Sequence, residues 1–363
     1  MKIAFALLVL IHGLIHLMGF FKSQGWMDPK ELSMPISKGA GFAWLLAFLS
    51  LIINAGSIFT QSKWAWAFGF TAAIISQILI VYFWKDAKFG SIPNILILII
   101  SVFSWGNWRF DQRTTEWKQK LFIGSNIQKN LTSIDSLPPI VQLWLQRSGA
   151  LDQTHHPFIH LTQDFKLKMS PEQKEWYSAT AEQWFNSSEP GFIWTLDMNM
   201  MSLVHIKGRD RFMEGKGEML ISLFATIPFV HASNNTKIDQ GSLQRFLGET
   251  VWFPAAVLNP HIRWENLDST HAMAIMEYRG TRGEGIFQFS PEGEFLRFSA
   301  LRYMVSDENA TQKEWIIDAV ESKEMDGIRI PVHCRATWKL DTGDWTWAEI
   351  RIKEIDRNFI LKK

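Results

Sequence analysis

Four apolar stretches, each long enough to cross a bilayer, lie within residues 1–108 of this chain, and no such stretch follows them. Residues 3–21, 41–59, 64–84 and 92–108 each approach the ~20 residues that a helix rising ~1.5 Å per residue needs to cross a ~30 Å hydrocarbon core. The pattern predicts a four-helix transmembrane domain over 1–108, a juxtamembrane connector over 109–137 and a soluble domain over 138–363. With four spans, the N-terminus and the soluble domain share a side. Met1-Lys2 followed by an apolar run imitates a signal peptide. The run is long, however, carries His12 and His16, and is flanked by Phe20-Phe21-Lys22 instead of small residues, so it reads as the first membrane helix.

Averages conceal this division. A hydrophobic fraction of 47% over 363 residues and a mean hydropathy of −0.03 suit an ordinary soluble protein. A net charge of +1, with no cluster of Lys and Arg, argues against a nucleic-acid footprint. One cysteine, Cys334, excludes an internal disulfide framework. Tryptophan supports the membrane assignment: Trp26, Trp44, Trp64, Trp66, Trp84, Trp105 and Trp108 sit at or near the ends of the spans, where amphipathic rings prefer the headgroup level. The opposite loops carry Lys22, Lys30, Lys38, Lys85 and Lys88. Counting short loops alone puts these lysines inside and the soluble domain on the extracytoplasmic side, whereas Arg109, Arg113, Lys118 and Lys120 cancel the bias when included.

Within the soluble part, Pro138-Pro139 starts a short helix carrying Ile140, Val141, Trp144 and Leu145 on one face until Gly149. The period then changes to two. Phe192, Trp194, Leu196, Met198 and Met200 alternate with Ile193, Thr195, Asp197 and Asn199, predicting a strand with one buried face. Similar segments at 158–169, 176–185, 203–212, 262–267, 272–278, 285–289, 294–305, 315–321, 328–340 and 345–352 are separated by turn residues such as Glu189-Pro190-Gly191 and Asp326-Gly327. About ten or eleven antiparallel strands imply a curved sheet or half-barrel. Over 239–258 a helix is expected, capped by Asp239 and lined by Leu243, Phe246 and Leu247, closing the concave face.

His12-Gly13-Leu14-Ile15-His16, Ser76-Gln77-Ile78-Leu79-Ile80 and Trp84-Lys85-Asp86-Ala87-Lys88-Phe89-Gly90 resemble the membrane part of a bacterial family of uncharacterised integral membrane proteins. Gly191-Phe192-Ile193-Trp194, Gly215-Lys216-Gly217-Glu218-Met219 and Asp239-Gln240-Gly241 through Val251-Trp252-Phe253-Pro254-Ala255-Ala256 resemble the same family's domain of unknown function. The soluble domain also loosely resembles the half-barrel of the LolA and LolB lipoprotein carriers. The family implies a bacterial inner-membrane location and no established activity.

Several residues invite a chemical reading. His12 and His16, four apart on one helical face, suit a shared ligand, a proton path or interhelical hydrogen bonding. Asp86, with Gln77 and Asn94 from adjoining helices, suits a polar mouth or a solvated loop over an amide pair. His155, His156 and His160 read as a surface cluster because Pro157 breaks their register. No nucleophile elbow, zinc-protease helix or phosphate loop is present, and Gly280 to Gly285 reads as a hairpin turn. No cofactor, metal or nucleic-acid partner is implied. The expected partners are the bilayer and a lipid, lipoprotein acyl chain or other lipophile, contacted by Trp194, Met198, Met200, Leu243, Phe246, Leu247, Trp252 and Phe253. The rival readings are an enzyme acting on a lipid or quinone, with His12 and His16 or Asp86 and Glu249 in chemical roles, and a membrane scaffold or sensor.

Overall fold

Helices α1 (Lys2–Ser23), α2 (Lys38–Phe59), α3 (Ala65–Tyr82), the single turn α4 (Trp84–Ala87) and α5 (Ser91–Phe122) open the chain. The computed structural model describes residues 2–123, 131–151, 157–201, 204–305, 307, 309–357 and 359. It divides into two compact units, Met1–Gln112 and Arg113–Lys363.

The first unit inverts the usual arrangement of a soluble bundle. Along its helices many large apolar residues are exposed, among them Ile3, Ile11, Leu46, Ile53, Ile78 and Ile95, while small or polar residues such as Ala47, Ala72, Ser76, His16 and Asn94 are buried beside Trp44, Leu51 and Ile97. Small residues inside let helices approach, and apolar residues outside suit a hydrocarbon surround. Gly19 shows the closeness: a Cβ there would lie 2.2 Å from Trp44 Cδ2. Among the described residues, four helices are long and apolar enough to cross a membrane.

A polar network joins α1, α3 and α5. The His12 carbonyl can only accept, so His16 donates to it from Nδ1 at 3.0 Å, and His16 Nε2 accepts from the Ser76 hydroxyl at 2.9 Å. His12 Nε2 donates to Asn94 Oδ1 at 3.0 Å, and the Asn94 amide donates to Ser76 Oγ and Gln77 Oε1, both at 3.0 Å. One proton on each imidazole satisfies every one of these bonds. Asp86 is not part of this network: its carboxylate accepts from Ser33 Oγ and the Met34 amide, both at 2.8 Å, tying α4 to the segment before α2.

The second unit is a single 13-stranded sheet, antiparallel throughout, in the order β6-β5-β4-β3-β2-β1-β13-β12-β11-β10-β9-β8-β7. Its strands are β1 (Phe158–Leu167), β2 (Tyr177–Asn186), β3 (Gly191–Met201), β4 (Val204–Met213), β5 (Lys216–Leu223), β6 (Ile227–Ser233), β7 (Ile262–Asn266), β8 (His271–Tyr278), β9 (Thr281–Phe289), β10 (Phe295–Tyr303), β11 (Gln312–Met325), β12 (Ile328–Leu340) and β13 (Gly343–Asp356). The short helix α6 is Pro139–Ser148, as its proline start and Gly149 end predict. Helix α7 (Thr236–Glu249) leads from β6 at one edge of the sheet toward β7 at the other. It packs on β4, β5 and β6 and also on β8, β9 and β10, so strands from both edges curl toward one helix. Thr281 Oγ1 donates to the Gly215 carbonyl at 2.7 Å, joining the β4–β5 turn to the start of β9.

Four expectations need correction. Strands β5 and β6 were not anticipated, because Gly217, Met219 and Pro228 dilute their alternation. The α7 cap is Asn235, whose Oδ1 accepts from Lys237 N at 2.8 Å; Asp239 is instead buried and accepts from Lys216 Nζ and Gly217 N, both at 2.8 Å. Residues 109–122 continue α5 where a polar connector was expected. Thr114, Trp117 and Leu121 form a stripe there, and the last two pack with Trp184 and Ile193 on the outer face of the sheet. That packing also explains why Ile193, expected to face water, is fully buried.

The facing of β3 otherwise follows its alternation. Phe192, Leu196 and Met198 are buried, and exposed Asp197 pairs with His205 Nε2 at 2.8 Å. Exposed pairs contribute ~0–1 kcal/mol. Asp197→Leu is therefore expected to change stability by less than about 1 kcal/mol. A thermal melt showing it to be as damaging as Trp194→Asp would reverse the strand's facing.

Candidate functional site

Two apolar clusters line the inner face. The larger gathers Trp144 and Leu145 of α6, Leu243, Phe246 and Leu247 of α7, Trp252 and Phe253 after it, and strand residues such as Phe185, Phe192, Phe287 and Phe298. The second contains Phe165, Ala181, Leu196, Met198, Ile206, Ala336 and Ala348, flanked by half-buried Tyr177, Met200, Leu223 and Trp347, and consists of strand residues alone. Alternation places both on one face: Leu161 belongs to the first and Phe165 to the second, four residues along β1.

A polar layer lies along the seam between them. Gly241, Arg245 and Glu249 fall four apart on one side of α7, away from the Leu243–Phe246–Leu247 stripe. Arg245 donates from Nη1 to Asp210 Oδ2 at 2.7 Å and from Nε to Glu249 Oε1 at 2.8 Å. Gln183 donates to the other Glu249 oxygen at 2.7 Å, and Trp194 Nε1 donates to Gln163 Oε1 at 3.0 Å. The Arg245 guanidinium also lies 4.8 Å from the Trp194 ring centroid and 5.0 Å from that of Phe192.

One guanidinium therefore serves two buried carboxylates. Burial holds both Asp210 and Glu249 above the usual carboxylate range, because half-shares of Arg245 do not offset their lost hydration. At Arg245 burial acts downward, but the two carboxylates outweigh it and hold the guanidinium above its ordinary value.

Arg302 is the second cation of the layer. It stacks on Trp315, 4.0 Å from the ring centroid, and lies 6.0 Å from that of Trp338. A Cβ on Gly241 would come within 3.3 Å of its Nη2, so the bare backbone of α7 leaves room for the guanidinium. Burial, with the like charge of Arg245, pushes Arg302 down to about 10. Its shielded Nε meets no acceptor among the described residues. Trp315 Nε1, Trp345 Nε1 and Trp347 Nε1 are likewise buried without an acceptor there.

These side chains form a continuous belt. Trp315 pairs across strands with Trp338, and Trp338 with Trp345. Trp347 lies two residues along β13 and 6.3 Å from Phe165, which is 5.5 Å from Trp194. An arginine stands at each end, Arg302 beside Trp315 and Arg245 beside Trp194.

Of the residues singled out in the sequence, Trp194, Met198 and Met200 come together at or beside this seam. Leu243, Phe246, Leu247, Trp252 and Phe253 come together too, but inside the main cluster, each at most 5% exposed. His12, His16, Gln77 and Asn94 share the helical network that excludes Asp86. His160 stacks on Trp184, while His155 and His156 lie outside the described residues. The Cys334 thiol is buried and thereby pushed up to about 12. Among the described residues no cluster of His, Cys, Asp and Glu could hold a metal ion. Asp210, Arg245, Arg302 and the tryptophans of β11 to β13 were missed as site residues. Their available signals were the four-residue spacing from Gly241 to Glu249 and the alternate placement of Trp345 and Trp347.

A profile of a family of unknown function, DUF6920, matches residues 135–356. The chain belongs to that family. The DUF6920 match takes in α6, α7, all thirteen strands and every residue of the belt. No curated protein matches the chain. Among solved structures, a LolA superfamily protein from Nitrosomonas europaea is similar over 59% of this chain and 92% of its own, at 8% sequence identity and a TM-score of 0.33.

Proposed function

We propose that this DUF6920 member is a multi-pass membrane protein whose extramembrane unit binds a lipid or other lipophile on the inner face of its sheet. The observation that carries this reading is the second apolar cluster, built from strands alone and bordered by half-buried Tyr177, Met200, Leu223 and Trp347. Each methylene that leaves water for such a surface contributes ~0.8 kcal/mol. Met198 and Met200, unbranched and polarizable, make an adaptable wall. Trp194 stands at the seam, and the Leu243, Phe246, Leu247, Trp252 and Phe253 group supports the wall from the main core. Tethering by four helices would keep the unit near a bilayer that supplies its ligand.

Two expected results test the reading. Reporter fusions at Ser62 and Thr114 should report one side of the membrane and a fusion at Glu31 the other; opposite signals at Ser62 and Thr114 would remove the four-span topology. Native mass spectrometry of the purified full chain, with extraction of bound lipid, should find a lipophile in the wild type and much less in Met200→Trp. That variant places a larger ring at the half-buried edge of the second cluster. A wild type that carries no lipophile would instead favour a scaffold.

A further inference from the structure

Along the seam four buried donors are without a partner against one buried acceptor, Asp210 Oδ1, among the described residues. Arg302 Nε, Trp315 Nε1, Trp345 Nε1 and Trp347 Nε1 are shielded from solvent and meet no acceptor among the described residues. An indole NH and a guanidinium NH can only donate, so no rotation of these groups satisfies one with another. Buried donors without partners are costly, and acceptor oxygens on a ligand would satisfy those within their reach. The two arginines differ in a telling way. Arg245 is engaged by Asp210 and Glu249 at 2.7 and 2.8 Å, whereas Arg302 forms no ion pair or hydrogen bond among the described residues and is held by Trp315 and Trp338. A guanidinium stacked on indoles keeps its edge free for bidentate contact with a carboxylate or phosphate.

On the other side of the belt, half-buried Trp347 and Trp194 pack against both apolar clusters. The belt therefore leads from Arg302, by way of Trp315, Trp338, Trp345 and Trp347, to the surface made by Phe165, Leu196, Met198 and Ile206.

We infer that the ligand is an anionic amphiphile: an acyl chain packed on the second apolar cluster, ending in a carboxylate or phosphate that accepts hydrogen bonds from Arg302 and the tryptophans of the belt. This rests on the proposed lipophile binding and adds the headgroup chemistry and the residue that reads it.

The test titrates the full-length protein in a fixed concentration of nonionic detergent, read by tryptophan fluorescence. The probes are lysophosphatidate, a monoacylglycerol with the same acyl chain, and inorganic phosphate. The expected result is that lysophosphatidate binds about tenfold or more tightly than the monoacylglycerol, the size of effect a hydrogen bond to a charged group supports. Arg302→Met should abolish that preference while leaving monoacylglycerol binding unchanged, and Arg302→Lys should restore part of it. Trp347→Phe, which keeps the ring and deletes one donor, should weaken lysophosphatidate more than monoacylglycerol, and it decides the matter if Arg302→Met fails to fold. Equal binding of the two amphiphiles by the wild type would overturn the headgroup inference while leaving lipophile binding intact. Phosphate binding as tightly as lysophosphatidate would reduce the site to a simple anion site and overturn the amphiphile. No binding of either amphiphile would overturn the proposed function itself.

Discussion

Arg245→Leu is expected to destabilise the second unit by ~3–5 kcal/mol near neutral pH, the range measured when one partner of a buried ion pair is removed. Leucine fills much of the space but leaves Asp210 and Glu249, both buried, with no direct cation. Melts of the full-length protein should show a loss of melting temperature on the order of ten degrees. The loss should also depend on pH in a defined direction. Both carboxyls are held by burial above their ordinary values of 3.8 and 4.5, and losing Arg245 removes the main influence that opposes the rise. A carboxyl with a raised folded-state pKa favours the folded state below its unfolded value, and that contribution disappears as pH rises through the folded value. The variant should accordingly be weakest at neutral pH and recover part of its deficit as pH falls toward the ordinary carboxylate range. A deficit that stays constant or grows on acidification would show that the two carboxylates are not what Arg245 compensates.

Phe246→Ala is expected to cost ~3–5 kcal/mol, and Phe246→Trp ~1–3 kcal/mol. Phe246 is 1% exposed and contacts two other rings, with centroids 6.4 Å away at Phe185 and 6.0 Å at Phe253. Truncation would leave a cavity among rings that cannot collapse together, and the larger indole would be forced into occupied volume. Neither change should alter lipid that co-purifies with the folded fraction, because the second cluster contains no residue of α7. Native mass spectrometry and a melt on one sample separate the outcomes. A stable Phe246→Trp protein depleted of lipid would move the ligand site to the stripe of α7.

Much of the architecture is written in local patterns. Apolar runs of membrane length, tryptophans at their ends and the switch to a period of two are properties of neighbouring residues, and each survives without knowing what packs against it. Asp326-Gly327 marks its hairpin for the same reason, with both residues at positive φ. The seam could not be read in this way. Its members come from β1 through β4, α7 and β10 through β13, and they meet only because an antiparallel sheet curls toward a helix from both edges.

The amphipathic helix α7 shows where local reasoning ends. Its sequence specifies two faces, the Leu243, Phe246 and Leu247 stripe and the Gly241, Arg245 and Glu249 stripe, because 3.6 residues per turn separate them. Which face meets the main core and which meets the seam depends on partners far along the chain. Asp210 precedes Arg245 by 35 residues and Arg302 follows Gly241 by 61, so no window of sequence contains them. Residues 109–122 carry the same lesson. Their polarity suggests a connector, yet the sheet's outer face offers Trp184 and Ile193 to a stripe that only a continued helix presents. Periodicity along the chain thus determined the helices, most of the strands and their facing. Packing between distant elements decided which buried charges are paired and which buried donors are left over among the described residues.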